Sequence, residues 1–229
     1  MFKKLLLTSA LLATFASAHA QSSQNFGVTG TVSPAPCTVT VPNGVVNLGS
    51  LTSAAVKLYP VLTGAASSTI YQVPATNLTL NIACNAATKV ALSFVDNKAG
   101  KNFVFDANDP ARFGIVDAAG TTAIGFYQIF FKSTTVDSTN TAIGQFLGAA
   151  NGSTTFSTTS PAGMSHPTST AMPGRTVAFA KTAGATAPDA VTTLSSTFLF
   201  ETYLSKAYID GATGAVAPTG SGTLTLVYL

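Results

Sequence analysis

The sequence predicts an all-β sandwich, and three observations carry that prediction. Short runs in which apolar and polar residues alternate recur along the chain, and a period of two is typical of half-buried strands. Glycine and proline, with 19 and 11 residues, separate these runs as turns between strands require. No segment shows a sustained helical period with capping residues. We expect one large domain rather than two, because β-sandwiches of about 200 residues are routinely single domains.

The predicted strands follow one another along the chain. The clearest alternation is NLTLNIAC, where Leu78, Leu80 and Ile82 share one face and polar residues share the other. Runs with the same period lie at residues 90–94, 124–128, 177–179, 198–200 and 224–228. Threonine and aromatic residues, which favour pleated surfaces, fill these runs. Between them, residues 133–188 form a Ser/Thr/Gly-rich insertion, for which we expect a long surface excursion with at most a short hairpin.

The composition favours a folded chain and excludes some partners. Hydrophobic residues make up 46% of the chain and charged residues only 8%, where about 25% charged is usual. The formal net charge is +3, and two of the positive charges, Lys3 and Lys4, lie in the leader described next. A chain with so little positive charge is not expected to bind nucleic acid.

Residues 1–20 have the pattern of a removable signal peptide. Lys3 and Lys4 precede an apolar segment, and the small-x-small sequence ending at Ala20 is a cleavage site for signal peptidase, so cleavage is expected between Ala20 and Gln21. The alternative, an N-terminal membrane anchor, is disfavoured because the apolar segment is too short to span a bilayer comfortably. The mature protein is therefore expected to leave the cytoplasm.

Cys37 and Cys84 are the two cysteines of the chain. In an exported protein an even count indicates a disulfide. The bond would close a loop of 84 minus 37, or 47 residues, and stabilise the domain by about 4 kcal/mol in the chain-entropy model. Neither cysteine has a C-x-x-C neighbour, and His166 is the one histidine left after cleavage. We therefore expect no zinc site, no other cofactor and no redox catalysis.

Both ends of the mature chain have the character of strands. An apolar-striped extension at residues 21–36 precedes Cys37, with Phe26, Val28, Gly30 and Val32 at alternating positions. The strand at the other end runs to the last residue and presents Leu224, Leu226, Tyr228 and Leu229. If the sandwich needs one more strand after it, that strand must be borrowed.

These features together resemble the chaperone-usher pilins, the subunits of bacterial fimbriae. FGVTGTVSPAPC resembles the pilin donor segment, LTLNIAC the strand with the second cysteine, FGIVDAAGTTAIGFYQI the Gly-rich turn and Gly-aromatic strand, and LVYL the terminus with a penultimate tyrosine. The resemblance covers nearly all of the mature chain except the insertion. Within that family, the closing LTLVYL and the large insertion are most similar to a pilin-like group described only as a domain of unknown function.

The resemblance implies a fold, a mechanism and partners. The fold would be an incomplete immunoglobulin-like sandwich at residues 37–229, completed by a donor strand from residues 21–36 of another subunit. A periplasmic chaperone would recognise the C-terminal strand, and an outer-membrane usher would assemble copies or related subunits into a surface fimbria that supports adhesion. A host glycan or surface receptor is a further candidate partner. The protein would pass through the periplasm to the cell surface and have no enzymatic activity.

Two other functions stay open at this point. The extension could complete its own sheet, which would give a secreted or surface binding module, similar to an adhesin, that does not polymerise. A small secreted hydrolase is the third hypothesis. Ser165 beside His166 approaches a nucleophile elbow but lacks the second glycine, and neighbouring residues cannot easily build a triad.

Overall fold

A computed structural model describes residues 36–42, 44–64, 68–101, 103, 105, 112–137, 141–142, 145–150, 152–153, 155–157, 170–171 and 174–229. The chain divides into two compact units, residues 1–33 and 34–229, and all described residues belong to the second. The predicted signal peptide, its cleavage site at Ala20 and Gln21, and the predicted donor residues Phe26, Val28, Gly30 and Val32 lie outside the described residues.

The described residues form a nearly all-β, sandwich-like fold, which confirms the predicted fold class. The strands are β1 (Cys37–Thr40), β2 (Leu51–Thr52), β3 (Val61–Thr63), β4 (Thr69–Asp96), β5 (Phe113–Val116), β6 (Ala123–Val136), β7 (Thr141–Ala142), β8 (Gln145–Ala150), β9 (Thr170–Ala171), β10 (Arg175–Ala180), β11 (Ala190–Ser205), β12 (Ala215–Val216), β13 (Thr219–Gly220) and β14 (Gly222–Tyr228). The helices are α1 (Ser53–Val56) and α2 (Lys206–Gly211).

The long strand β4 belongs to both layers of the fold. Its first half pairs with β11 on one edge and with β1 and β3 on the other. Its second half pairs with β10 on one edge and β14 on the other. The first layer therefore has the order β13-β5-β6-β11-β4, and the second has the order β14-β4-β10-β8. These pairings are all antiparallel, as expected for a sandwich rather than an α/β fold.

The main core lies between the layers and is rich in phenylalanine. The rings of Phe94 and Phe131 meet edge to face with centroids 6.0 Å apart, and those of Phe131 and Phe198 do so at 4.9 Å. Leu80, Ile82 and Leu92 of β4 are almost fully buried in the same cluster. The alternation at residues 77–84 and 90–94 thus predicted the inward face of β4 correctly.

The sequence predicts that alternate residues of 124–128 share one face of a strand, and this prediction is wrong. The side chains of β6 switch faces within that run. Ile124 and Tyr127 lie in the main core, whereas Phe126 packs with Ile70 and Tyr203 in a separate cluster. The register of β5 and β6 shifts by one residue there, and such a bulge reverses the faces that follow it. Gly125 lies at this point, where a Cβ atom would come 2.1 Å from the carbonyl oxygen of Tyr203.

The described part of residues 133–188 is not confined to the surface. β8 and β10 extend the second layer beyond β4. Leu147 and Val177 are fully buried. Two strands of this segment are therefore part of the sandwich itself.

Asp137, at the end of β6, is held by residues that lie after β10 and in β11. Its backbone has a φ of 56°, a conformation that aspartate tolerates better than most residues. Its carboxylate accepts hydrogen bonds from the N–H of Thr192 at 2.7 Å and from Lys181 Nζ at 2.5 Å. The hydrogen bond from Lys181, with those from the Thr192 backbone and hydroxyl, holds the pKa of Asp137 well below its usual range.

Both helices are short and are capped by hydroxyl side chains. Thr52 Oγ1 accepts the N–H of Ala55 at the start of α1, and Ser205 Oγ accepts the N–H of Tyr208 at the start of α2. Such caps satisfy backbone donors that the first helical turn leaves without partners. Within the described ranges, no helix is long and apolar enough to cross a membrane.

Candidate functional site

An apolar groove opens between the two layers and has a volume of about 540 Å³. Its floor is the inner surface of the sandwich, formed largely by aromatic and branched side chains of β4, β5, β6 and β11. Six of these side chains are Phe94, Phe113, Ile115, Ile129, Phe198 and Phe200. Five of the six are buried in the core and Phe200 is half-buried, so the groove opens onto the margin of the core.

Two chain segments form the walls of the groove. One wall is the stretch from Pro218 to Leu224, which leads through β13 into β14. The other, which we call the β1-side wall, contains Val41, Gly44, Val45, Val46 and Leu48, the residues that follow β1. Val45 is 77% exposed. A large apolar side chain so exposed beside an apolar groove marks a surface suited to a binding partner.

Strand β14 presents an open edge along this groove. Among the described residues it pairs with β4 alone, in regular register from Gly222 opposite Asp96 to Tyr228 opposite Val90. At its two ends, the N–H of Leu229 donates to Lys89 O and the carbonyl of Ser221 accepts from Asn97 N, both at 3.1 Å.

Those two bonds fix which backbone groups face outward, because the groups of successive residues in a strand point to opposite edges. The backbone groups facing away from β4 are those of Gly222, Leu224, Leu226 and Tyr228. Their spacing is that of a strand edge that can pair with a further strand.

Two glycines allow the Pro218–Leu224 wall to approach the floor closely. A Cβ atom on Gly220 would come 2.9 Å from the ring of Tyr127, and one on Gly222 would come 3.1 Å from the Tyr127 hydroxyl. Burial raises the pKa of Tyr127 above its usual value, and the nearby carboxylate of Asp96 raises it further. The Tyr127 hydroxyl thus stays protonated and neutral beside the groove.

Asp96 holds the same end of the groove in place. Its buried carboxylate accepts the N–H of Lys98 at 2.8 Å and the N–H of Gly114 at 2.9 Å. These bonds tie the end of β4 to β5. The buried carboxylate thus has hydrogen-bond partners, as buried polar groups in proteins generally do.

Of the predicted C-terminal residues, Leu224 lines the groove, and Leu226, Tyr228 and Leu229 follow it along β14 and at its end. Leu224 and Leu226 are half-buried and pack against the main core, whereas Tyr228 and Leu229 are 40% and 41% exposed. The Tyr228 hydroxyl accepts a hydrogen bond from the N–H of Cys37 at 2.9 Å. The end of β14 therefore lies beside the first residue of β1.

The predicted disulfide between Cys37 and Cys84 is confirmed. The two residues are directly opposite in the pairing of β1 with β4, and both side chains contact the main core. The bond fixes the point at which residues 21–36 join the described domain. In the part of the chain that the structure describes, no three metal-ligating side chains cluster.

Sequence reasoning did not identify the β1-side wall. Its sequence, VPNGVVNL, has apolar residues without regular alternation, and in the structure residues 41–42 and 44–50 form neither helix nor strand. The signal that was available is the concentration of valine and leucine in a stretch with turn residues, since such a stretch has apolar side chains to bury but no strand period.

The comparisons with known proteins concern mainly the N-terminal half of this arrangement. A family model described as protein of unknown function (DUF1120) matches residues 26–144. The match covers the predicted donor residues, the disulfide, the β1-side wall and β1 to β7. No curated protein matches the chain.

Proposed function

The chain belongs to the family described as protein of unknown function (DUF1120), and on that premise we propose that it is a structural subunit of a bacterial surface fimbria. Subunits join when residues 21–36 of one copy enter the groove of the next and pair with β14. A periplasmic chaperone and an outer-membrane usher direct this exchange, and the resulting fibre supports adhesion. The observation that carries the proposal is the apolar groove beside the open edge of β14.

The shape and chemistry of the groove favour a strand over a small ligand. Its floor is apolar, and the described residues place no cluster of charged or metal-ligating groups in it. Its polar features include the outward backbone groups of β14, which recur at every second residue, beside the hydroxyl side chains of Thr202, Ser221 and Thr223. An extended peptide satisfies both, because its main chain pairs with the edge while alternate side chains enter the floor.

The proposed occupant has the matching pattern. Phe26, Val28 and Val32 recur at even spacing, and Gly30 leaves a gap between them. Burial of each apolar side chain contributes about 1.5 to 3 kcal/mol before the costs of ordering and association. A second copy of the chain therefore supplies an apolar stripe that matches the apolar lining of the groove.

One groove and one extension per subunit give head-to-tail contacts, and such heterologous contacts build open fibres. Before assembly, the edge of β14 and the floor need protection from non-specific pairing. The chaperone supplies that protection by binding the C-terminal strand at Leu224, Leu226, Tyr228 and Leu229. The signal peptide carries the chain through the inner membrane, and the periplasm is its place of transit.

The experiment is a measurement of association state with and without a donor peptide. The mature chain is expressed without partners in an oxidising compartment, and its mass is followed by light scattering. A peptide of residues 21–36 is expected to convert an unstable or oligomeric protein into a stable monomer. The matched control peptide carries Val28→Asp and Val32→Asp, which keep its length and should abolish the effect.

A stable monomer that ignores the peptide would contradict the proposal. That result would favour the self-completed binding module, in which residues 21–36 serve their own chain.

A further inference from the structure

We propose that the Cys37–Cys84 disulfide carries the tension of the assembled fibre and keeps the β1-side wall of the groove from being pulled away. The inference rests on the proposed function, since tension reaches Cys37 only when the extension of one subunit is held by another. It assigns to the bond a mechanical role beyond closing a loop in the unfolded chain.

Tension on the extension enters the described domain at Pro36, whose carbonyl accepts the N–H of Asn85 at 3.2 Å, and then reaches Cys37, the first residue of β1. β1 has four residues, and they pair with residues 81–84 of β4. Without a covalent link, the hydrogen bonds of this short ladder would be the first to bear the load. A ladder loaded at one end opens one bond after another.

The residues immediately after β1 are those of the β1-side wall. These residues, Val41, Gly44, Val45, Val46 and Leu48, line the groove and belong to none of the strands of the described residues, the next of which is β2 at Leu51. A load that opened β1 would therefore pass directly to this wall. Each subunit would then release the donor strand that it holds because its own extension was being pulled.

The disulfide diverts that load into β4. Cys84 lies in the middle of β4, where the strand is paired with β1 on one edge and, at Ala83, with β11 on the other. Further along, β4 pairs with β14 over seven consecutive positions. The load thus passes from the extension to the strand that supports the opposite groove wall, without passing through β1.

Tyr228 links Cys37 to β14, the strand that continues the opposite wall of the groove. Its hydroxyl accepts the N–H of Cys37 at 2.9 Å, so the end of β14 and the start of β1 meet at the same point. If Cys37 moved under load, both sides of the groove would be disturbed at once. The disulfide holds Cys37 at that point.

The test is single-molecule force spectroscopy on the full mature chain. One handle is attached at Gln21, and the other at a short tag inserted at Gly152, in an exposed turn after β8. In reductant, we expect an early extension of up to about 50 Å below the force of global unfolding, because the 14 residues from Cys37 to Leu51 span at most about 3.3 to 3.6 Å each. Oxidised molecules should lack this step. An early step in both redox states, or in neither, would overturn the inference.

Two variants separate the bond from its surroundings. Cys37→Ser with Cys84→Ser should show the early step without reductant, whereas Tyr228→Phe keeps the disulfide and should not show it. If the reduced chain unfolds without load, a measurement on the oxidised chain still tests the load path. The handle at Gln21 is moved to Gly49, beyond the disulfide, so that the load no longer enters through Cys37. The β1-side wall should then be released early, and the absence of an early step would count against the proposed load path.

A groove readout distinguishes this inference from the proposed function. A labelled peptide of residues 21–36 should remain bound for similar times in both redox states without load, and its dwell time should fall with load in the reduced state alone. An equal fall in both states would overturn the inference. Failure of the peptide to bind either state without load would contradict the fimbrial proposal, and the early-extension measurement would still decide the role of the disulfide.

Discussion

Substitution of Leu224 by proline tests whether β14 offers its open edge to a partner strand. The N–H of Leu224 points away from β4, whereas that of Thr225 points towards it, as the bonds at both ends of β14 require. Leu224→Pro therefore removes a donor from the groove and leaves the pairing with β4 intact. Proline is tolerated in edge strands when its missing N–H faces outward.

The expected loss of peptide affinity follows from this geometry. A main-chain hydrogen bond contributes about 0.5 to 1.5 kcal/mol net, which is roughly a 2- to 12-fold change in Kd. Leu224→Ala is the matched control, because it removes most of the same side chain and keeps the N–H. We expect Leu224→Pro to bind the peptide of residues 21–36 about tenfold more weakly than Leu224→Ala, with a similar melting temperature.

Titration calorimetry gives the affinity, and thermal unfolding gives the stability. Thr225→Pro is the opposite control, since it breaks a bond to β4 and should lower stability by about 1 to 3 kcal/mol. The reasoning is refuted if Leu224→Pro binds the peptide as well as Leu224→Ala does. It is equally refuted if Leu224→Pro destabilises the domain as much as Thr225→Pro.

Three further predictions follow from other parts of the molecule. Deletion of residues 21–32 should leave a disulfide-closed domain that chaperone still captures, and fibres of undiminished length from that deletion would contradict the donor role. Gly125→Ala should strongly lower the free energy of unfolding, because the alanine Cβ would lie 2.1 Å from Tyr203 O. Chemical denaturation measures that free energy, and a decrease under about 1 kcal/mol would show that the strands can separate there. Asp137→Asn should destabilise the domain by about 1 to 2 kcal/mol at neutral pH. Because the pKa of Asp137 is lowered on folding, its contribution is present above the ordinary aspartate range and is lost as pH falls through the lowered value, so the two unfolding curves should converge at strongly acidic pH; a constant gap would contradict the ion pair with Lys181.

Much of the fold was predictable because burial on one face leaves a period of two in the sequence. The inward residues of β4, β10, β11 and β14 follow that period. Phe126 does not follow the period, because the bulge at Gly125 shifts the register by one residue. Bulges leave no regular pattern in a single sequence. The disulfide was predictable from the even cysteine count together with the predicted signal peptide.

The continuity of β4 and the position of the groove were not predictable from local pattern. Residues 85–89, between the two alternating runs of β4, are largely exposed and polar, so they resemble a turn. They continue the strand in the structure because β11 pairs with Thr88 and Lys89, and β1 and β14 pair with the backbone before and after them. Likewise, Ile115 and Phe200 look like ordinary core residues in the sequence, and only the tertiary arrangement places them at the groove.

The most direct test of the account is amide hydrogen exchange of β14, measured residue by residue with and without the peptide of residues 21–36. Thr223, Thr225 and Val227 should be protected in both states, because their N–H groups bond to β4. Leu224, Leu226 and Tyr228 should exchange quickly in the free protein and become protected when the peptide binds. Protection of these three amides that is unchanged by the peptide would contradict a groove completed by a donor strand.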